Sequence, residues 1–359
     1  MTQGNAMQPF IYTGHPARVI FGVGTTARLS AEVEKLGIEK ALVLTTPPQK
    51  EQGEALVELL GARSAGLFAE ATMHTPVNVT ERAIEAYHRS GATGVVSIGG
   101  GSTIGLGKAI ALRTDCPQVV LPTSYAGSEM TTIIGQTEEG RKTTRKTQKV
   151  LPETVIYDVN YTLTLPPVMT VTSGMNAIAH AVEALYAEEA NPVLSLMAED
   201  GIAKMVAALG QVQERPQDVD ARADVLYGAW LCAICLGSGG VALHHKLCHV
   251  LGGSFNLPHA ETHTVVLPHA LAYNAPAVPN AIAALRRATG SDTPAAALFD
   301  VAQSGGAPTS LRDLGMPEDG IERAVQITLE NPYFNPRPLE ADALKATLSA
   351  AWAGDRPNA

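Results

Sequence analysis

Apolar positions in the first 160 residues alternate between two textures. Residues 18–21, 41–45, 65–68, 94–98 and 119–121 are short runs rich in Val, Ile and Leu, too brief for helices, and they predict strands. Between them, residues 25–36, 52–60, 80–90 and 104–112 repeat apolar positions at three- and four-residue spacing, which predicts amphipathic helices. Ser and Thr before several of these helices are expected to cap them. Strand–helix alternation of this kind predicts a doubly wound parallel sheet covered by helices. Beyond Asp158 the strand pattern nearly vanishes, and long Ala-, Leu- and Val-rich stretches at 174–187, 192–209, 221–236 and 241–251 predict helices. The expected architecture is an α/β nucleotide-binding domain over 1–160 followed by an all-helical catalytic domain over 161–359, with the active site in the cleft between them.

Charge and composition narrow the function. A net charge of −9 argues against nucleic acid as a partner, because phosphate binding needs clustered Lys and Arg. The basic stretch Arg141, Lys142, Arg145, Lys146 and Lys149 reads as a solvated hairpin or loop. Four cysteines are too few to staple a chain of 359 residues, which fits a reducing, cytoplasmic compartment. Cys232 and Cys235 form a C-x-x-C inside an apolar helical run, with no second pair to complete a zinc site, so core packing is expected. The start of the chain lacks the basic-then-apolar order of a signal peptide, and no apolar run of about 18 residues suggests a membrane span.

Two patterns carry candidate chemistry. Gly99-Gly100-Gly101-Ser102 follows a buried-strand pattern and opens a helix, where glycines admit a pyrophosphate and the helix N-terminus offers N–H groups. Thr123 and Ser124, in a second turn after a strand, are expected to line the same cofactor. Gly22-Val23-Gly24, after the first strand, lacks the third glycine of a dinucleotide fingerprint. Thr45-Thr46 ends the second strand where a ribose-binding acid often stands, so Thr46 would accept either ribose form and either NADH or NADPH. The second pattern is histidine. His245 and His249 share a helix face, as do Asn176 and His180 on a helix starting near Ser173-Gly174, and His259 follows in a loop. Two such pairs and a loop histidine can converge on one small volume.

The glycine run with Lys108, the turn Pro122-Thr123, the string from Ser173 through His180 to Glu183, and the His245/His249/His259 spacing resemble the iron-containing alcohol dehydrogenases through essentially the whole chain. In that superfamily one Asp and three His bind a divalent metal; the corresponding positions are Asn176, His180, His245 and His259, while His249 matches a further His near the substrate. Asn176 replaces the metal-binding Asp, and Gly105 stands where the alcohol dehydrogenases usually carry Asp. These departures, with the segment around His74 and the C-terminal Asn335-Pro336-Arg337, are similar to the maleylacetate reductase branch. That resemblance implies NADH- or NADPH-dependent reduction of maleylacetate to 3-oxoadipate in bacterial breakdown of aromatic rings, dimers and no required metal. A metal-dependent alcohol or glycerol dehydrogenase is the alternative.

The implied substrate is a small dicarboxylate whose C=C is conjugated to a ketone. Hydride addition β to the ketone collects charge on an enolate oxygen, which needs a hydrogen-bond donor. His180, His245 or His249 is expected to donate to that oxygen, and one of them or Tyr333 to supply the carbon proton. His74, Asn176, His259 and Arg337 are the expected substrate-binding residues.

Overall fold

A computed structural model of the protein describes residues 10–15, 17–138 and 141–359, the side chains of Arg141 and Lys142 excepted. The first nine residues lie outside the described residues, and of the basic stretch only the Arg141 and Lys142 side chains are left undescribed.

The expected strands form as β1 (Arg18–Gly22), β2 (Ala41–Leu44), β3 (Ser64–Phe68), β4 (Gly94–Gly99) and β5 (Gln118–Pro122). A hairpin of β6 (Ile133–Glu138) and β7 (Arg141–Lys146) follows, placing the basic stretch on a short antiparallel ribbon. Then comes β8 (Thr154–Asp158), a strand that the hydrophobic pattern did not single out. It lies between β1 and β5 in a six-stranded parallel sheet of order β1-β8-β5-β4-β2-β3. Successive residues of the central strands are apolar because both faces are covered. Leu42, Leu44 and Val95 pack with Leu106 and Ile110 on one face. Val43, Val96 and Ile98 pack with Leu29 and Leu56 on the other.

Helices α1 (Leu29–Lys35), α2 (Lys50–Leu60), α3 (Val77–Arg89) and α4 (Gly101–Thr114) supply those covering layers. The remainder is helical: α5 (Pro167–Ala184), α6 (Pro192–Glu214), α7 (Val219–Gly239), α8 (Leu243–Phe255), α9 (His259–Asn274), α10 (Pro279–Thr289), α11 (Pro294–Ser304), α12 (Gly320–Glu330) and α13 (Ala341–Ala353). Cys232 and Cys235 are buried in its core, as expected. Helix α9 is a shared wall: Leu267 and Leu271 pack into the core around α5, and Val265, Val266 and Ala270 pack into a second core with α8, α12 and α13. Among the described residues no single helix is long and apolar enough to cross a membrane.

Two local expectations are corrected. Side-chain capping bonds come from Asp158, Asn191 and Asp218, whose short acceptors reach the first free N–H groups, rather than from the expected Ser and Thr. Helix α5 starts at Pro167, not near Ser173, because proline's fixed φ suits a first turn.

Candidate active site

The glycine run forms the turn from β4 into α4. Gly99 has φ +152°, and a Cβ there would lie 2.4 Å from Thr103 Oγ1; one on Gly100 would lie 2.7 Å from Ser124 Oγ. No side chain caps α4. Glycine is thus required where backbone and a neighbouring turn close around the free N–H groups of a helix start, a geometry that accepts a pyrophosphate. Thr123 N–H donates to the Gly99 carbonyl at 3.1 Å, which fixes the β5 turn beside the β4 turn. Gln49, which sequence reasoning missed, donates from Nε2 to Thr123 Oγ1 at 2.9 Å and accepts from Thr46 Oγ1 at 3.2 Å. Thr46, Gly99, Gly100, Gly101, Ser102, Thr123 and Ser124 therefore gather at the carboxyl ends of β2, β4 and β5, where open parallel sheets bind nucleotides. Pro47-Pro48, forcing a tight turn directly after β2, was the available signal for Gln49.

The first turn of the sheet cannot serve instead. The Asp158 carboxylate accepts from Gly24 N and Thr26 N, both at 2.9 Å, and from Thr26 Oγ1 at 2.6 Å. An internal anion satisfies the donors that a phosphate would use. Lys108 is also structural here: fully buried, its ammonium donates to Thr131 O, Thr131 Oγ1 and Ile133 O at 2.7–2.9 Å.

The histidines converge between α5, α8 and α9. The His180 and His245 rings stack with centroids 5.1 Å apart, and His249 lies 6.2 Å from His245. His259 is the first residue of α9 rather than a loop residue, since Pro258 ends the preceding extended segment and α9 begins directly after it. That register adds His263, one turn on, 4.4 Å from His259 and 5.0 Å from His245 by ring centroid. His244 completes the group, its Nε2 2.9 Å from His263 Nδ1. His249 and His259 are exposed, whereas Asn176, His180, His244, His245 and His263 are buried. Burial foremost, and then the neighbouring imidazoles, hold His180, His244 and His263 well below the ordinary pKa of 6.5, so these rings are neutral. Asn176 Oδ1, His180 Nδ1, His245 Nε2 and His263 Nε2 are buried without a hydrogen-bond partner among the described residues. Such groups are costly unless a ligand engages them.

One carboxylate organises the cluster. Glu183, one turn after His180 on α5, is fully buried. Its Oε1 accepts from His244 N and its Oε2 from Ala242 N, each at 2.7 Å, and Oε2 lies 2.6 Å from His245 Nδ1. Nδ1–H of His245 therefore donates to Glu183, and Nε2 is left to face the site.

The turn 123–127 joins the two halves. Ser124 abuts Gly100, Tyr125 N donates to Ser173 Oγ on α5 at 2.9 Å, and Gly127 (φ +79°) passes so close that a Cβ would lie 3.4 Å from His180 Nδ1. The glycine cradle and the imidazole cluster are thus a few residues apart along one turn.

Tyr333, 37% exposed, places its hydroxyl 2.9 Å from His249 Nδ1. Arg337 does not join the cluster. Its Nη1 donates to the Tyr273 carbonyl at 2.7 Å and its guanidinium stacks 4.2 Å from that ring. Tyr273 is about 21 Å along α9 from His259 at 1.5 Å per residue. His74 is exposed on a left-handed turn (φ +65°), followed by Thr75 (φ +46°), whose Oγ1 would lie 2.4 Å from a Cβ on Gly105. Gly105 is thereby explained by steric need, and the His74 turn lies over the start of α4, on the nucleotide side. A hollow of about 330 Å³ lined by Leu112, Arg113, Ile134, Gln136, Thr143 and Arg145 lies by the hairpin and contains none of these groups.

The positions that correspond to the metal ligands of the resembled superfamily, Asn176, His180, His245 and His259, offer an amide and three imidazoles. The cluster's carboxylate, Glu183, already accepts from two backbone N–H groups and His245. Among the described residues, three candidate ligand atoms approach within 4.8 Å of one another at His244, Cys248 and His263, but two of these are the nitrogens already paired at 2.9 Å. Iron(II) favours an anionic oxygen ligand, and these residues do not fit it.

Residues 16–159 match the family model described as iron-containing alcohol dehydrogenase, and 170–352 match that of the Fe-containing alcohol dehydrogenase family, C-terminal. The maleylacetate reductase of Rhizobium sp. (strain MTP-10005) is 53% identical over 351 residues, 98% of this chain and 100% of that protein. That of Pseudomonas knackmussii is 53% identical over 350 residues, 98% and 99% of the two chains. The crystal structure of maleylacetate reductase from Agrobacterium tumefaciens superposes with a TM-score of 0.95 at 53% identity, covering 98% of this chain and 100% of that one. With its glycine cradle facing a histidine cluster, and with relatives this similar over nearly its whole length, the chain belongs to the iron-containing alcohol dehydrogenase family.

Proposed function

We propose that this protein reduces the C=C of maleylacetate to 3-oxoadipate with NADH or NADPH, in bacterial breakdown of aromatic compounds, and that it needs no metal. The observation that carries the reading is the imidazole cluster on the helices beside Asn176, with His180, His244 and His263 held neutral by burial, next to a dinucleotide cradle, in a chain half identical to maleylacetate reductases. We assign nucleotide binding to residues 1–160 and catalysis to 161–359, in a cytoplasmic homodimer. The exposed Phe10, Ile11 and Tyr12 support the dimer: their segment is tied to α7 by Ser238 Oγ donating to Thr13 O, beside edge strand β1.

NAD(P)H, when bound, supplies the hydride that adds to the carbon β to the substrate ketone. Electron density then collects on the keto oxygen as an enolate. His180, whose Nδ1 lacks a partner among the described residues, is placed to donate to that oxygen, and His245 donates from Nε2 when that nitrogen is also protonated, its Nδ1–H staying on Glu183. Glu183 stabilises positive charge on His245 as the proton is held at Nε2. His249 or Tyr333, coupled at 2.9 Å at the exposed rim, delivers the proton to the carbon α to the ketone, giving 3-oxoadipate. Asn176 and His259 bind substrate, and His74 serves on the nucleotide side.

The test is NADH oxidation by the purified enzyme with freshly prepared maleylacetate, with identification of the product. Stoichiometric 3-oxoadipate is expected. Absence of turnover with maleylacetate, alongside oxidation of simple alcohols by the metal-loaded enzyme, would return the protein to the alcohol dehydrogenases.

A further inference from the structure

A dicarboxylate carries two negative charges into a site whose charged group on α5 is the carboxylate of Glu183. Helices α5, α8 and α9 build that site, and their sequences contain a single Lys or Arg between them, Lys246. It follows His245 directly and is buried, with 7% of its surface exposed. It is also three residues before His249, so the two share a face of α8. Tyr333 spans both: its hydroxyl lies 2.9 Å from His249 Nδ1, and its ring lies 5.5 Å from the Lys246 ammonium.

Among the described residues no carboxylate pairs with Lys246. The Lys246 stem is buried while its ammonium faces the Tyr333 ring, a cation–π contact that contributes about 1 kcal/mol and leaves its hydrogen-bond donors for an anion. Arg337, the cation that the sequence suggested for substrate binding, is held by Tyr273 at the far end of α9.

We propose that Lys246 binds a carboxylate of the substrate, with the Tyr333 ring holding its ammonium on the face that also carries His249. This rests on the dicarboxylate substrate proposed above. It makes Tyr333 a residue of two functions, the ring for binding and the hydroxyl for proton delivery, and it makes Lys246 a determinant of anionic over neutral substrates.

The test compares wild type, Lys246→Met and Lys246→Arg, each loaded with NADH. A lost charge-assisted bond corresponds to about 10- to 100-fold in affinity. Lys246→Met is expected to raise KM for maleylacetate by about that factor, with kcat and the KM for NADH within threefold of wild type, and Lys246→Arg to recover most of the loss. Tyr333→Phe, which keeps the ring, is expected to lower kcat with little change in KM. Calorimetric binding of maleate to the same proteins separates this inference from the reaction assignment: the Kd for maleate should weaken at least tenfold in Lys246→Met even if wild type fails to reduce maleylacetate. Lys246→Gln replaces Lys246→Met if the latter does not fold. A folded Lys246→Met or Lys246→Gln enzyme with unchanged maleate affinity and unchanged KM overturns the proposal.

Discussion

Glu183 Oε2 lies 2.6 Å from His245 Nδ1 while the same carboxylate accepts the backbone N–H groups of Ala242 and His244. One buried acid on α5 thus fixes the start of α8 and the orientation of its first site imidazole together. Glu183→Gln replaces one acceptor oxygen by an NH2 facing donors. Loss of a buried bond to a charged group costs about 3 kcal/mol, so urea unfolding should show a stability loss of about that size. Stopped-flow reduction should show kcat down about 10- to 100-fold, because His245 loses its fixed tautomer. A variant within twofold of wild type in both would remove Glu183 from the mechanism.

His249 and Tyr333 are coupled through one hydrogen bond, so their substitutions should not act independently. His249→Phe is expected to lower kcat about 10²- to 10³-fold, as loss of a positioned proton donor does. The double variant His249→Phe/Tyr333→Phe should be no worse than the poorer single variant. Multiplying losses would mean two separate roles.

Acid should unfold this protein steeply. His180, His244 and His263 are pushed well below 6.5 in the fold, and burial takes His269 down to about 4. Below pH 6.5 the unfolded chain binds protons on these rings that the folded chain does not, so stability is present in full above that pH and falls as pH drops. Four such groups together remove up to about 5 kcal/mol per pH unit near pH 5. Urea unfolding measured from pH 7.5 to 5 checks the slope, and a flat profile would show that the rings take up protons in place.

Cofactor preference should be loose. Thr46 and Gln49 present hydroxyl and amide groups at the end of β2, with no carboxylate between them to repel a 2′-phosphate. Values of kcat/KM for NADH and NADPH are expected within about 100-fold, less than one strong charged contact would enforce. A preference beyond a thousandfold would locate ribose recognition elsewhere.

Asn176 removes the anionic ligand of the metal pattern, and its Oδ1 is unpartnered among neutral imidazoles. Chelator-treated enzyme should keep nearly full activity, with no gain from added Fe²⁺ or Zn²⁺. Asn176→Asp should bind metal more tightly and reduce maleylacetate more slowly, because its charge repels a dicarboxylate. A tenfold loss on chelation, restored by one equivalent of metal ion, would assign the wild type to the metal-dependent enzymes.

Local periodicity determined the elements and their faces. Apolar runs marked the strands from β1 to β5, the glycine triplet marked the β4–α4 turn, and four-residue spacing put Asn176 with His180 and His245 with His249. Each of these is a property of one segment, set by steric limits on the backbone and by which side chains avoid water, and so it is written locally. Strand β8 escaped although Val155-Ile156-Tyr157 is as long a run as 119–121: no helical pattern of the first domain follows it, and its place between β1 and β5 is fixed by pairing with residues more than thirty positions away. Glu183, His263, Lys246 and Gln49 escaped for a related reason. Spacing shows which face a residue occupies, not which face of another helix it meets, and the partners of Glu183 lie about sixty residues on. The same holds for Arg337, which is basic and C-terminal in the sequence but is taken by the Tyr273 ring in the fold. Tertiary packing alone decided which of these polar groups found partners inside the protein and which were left for a ligand.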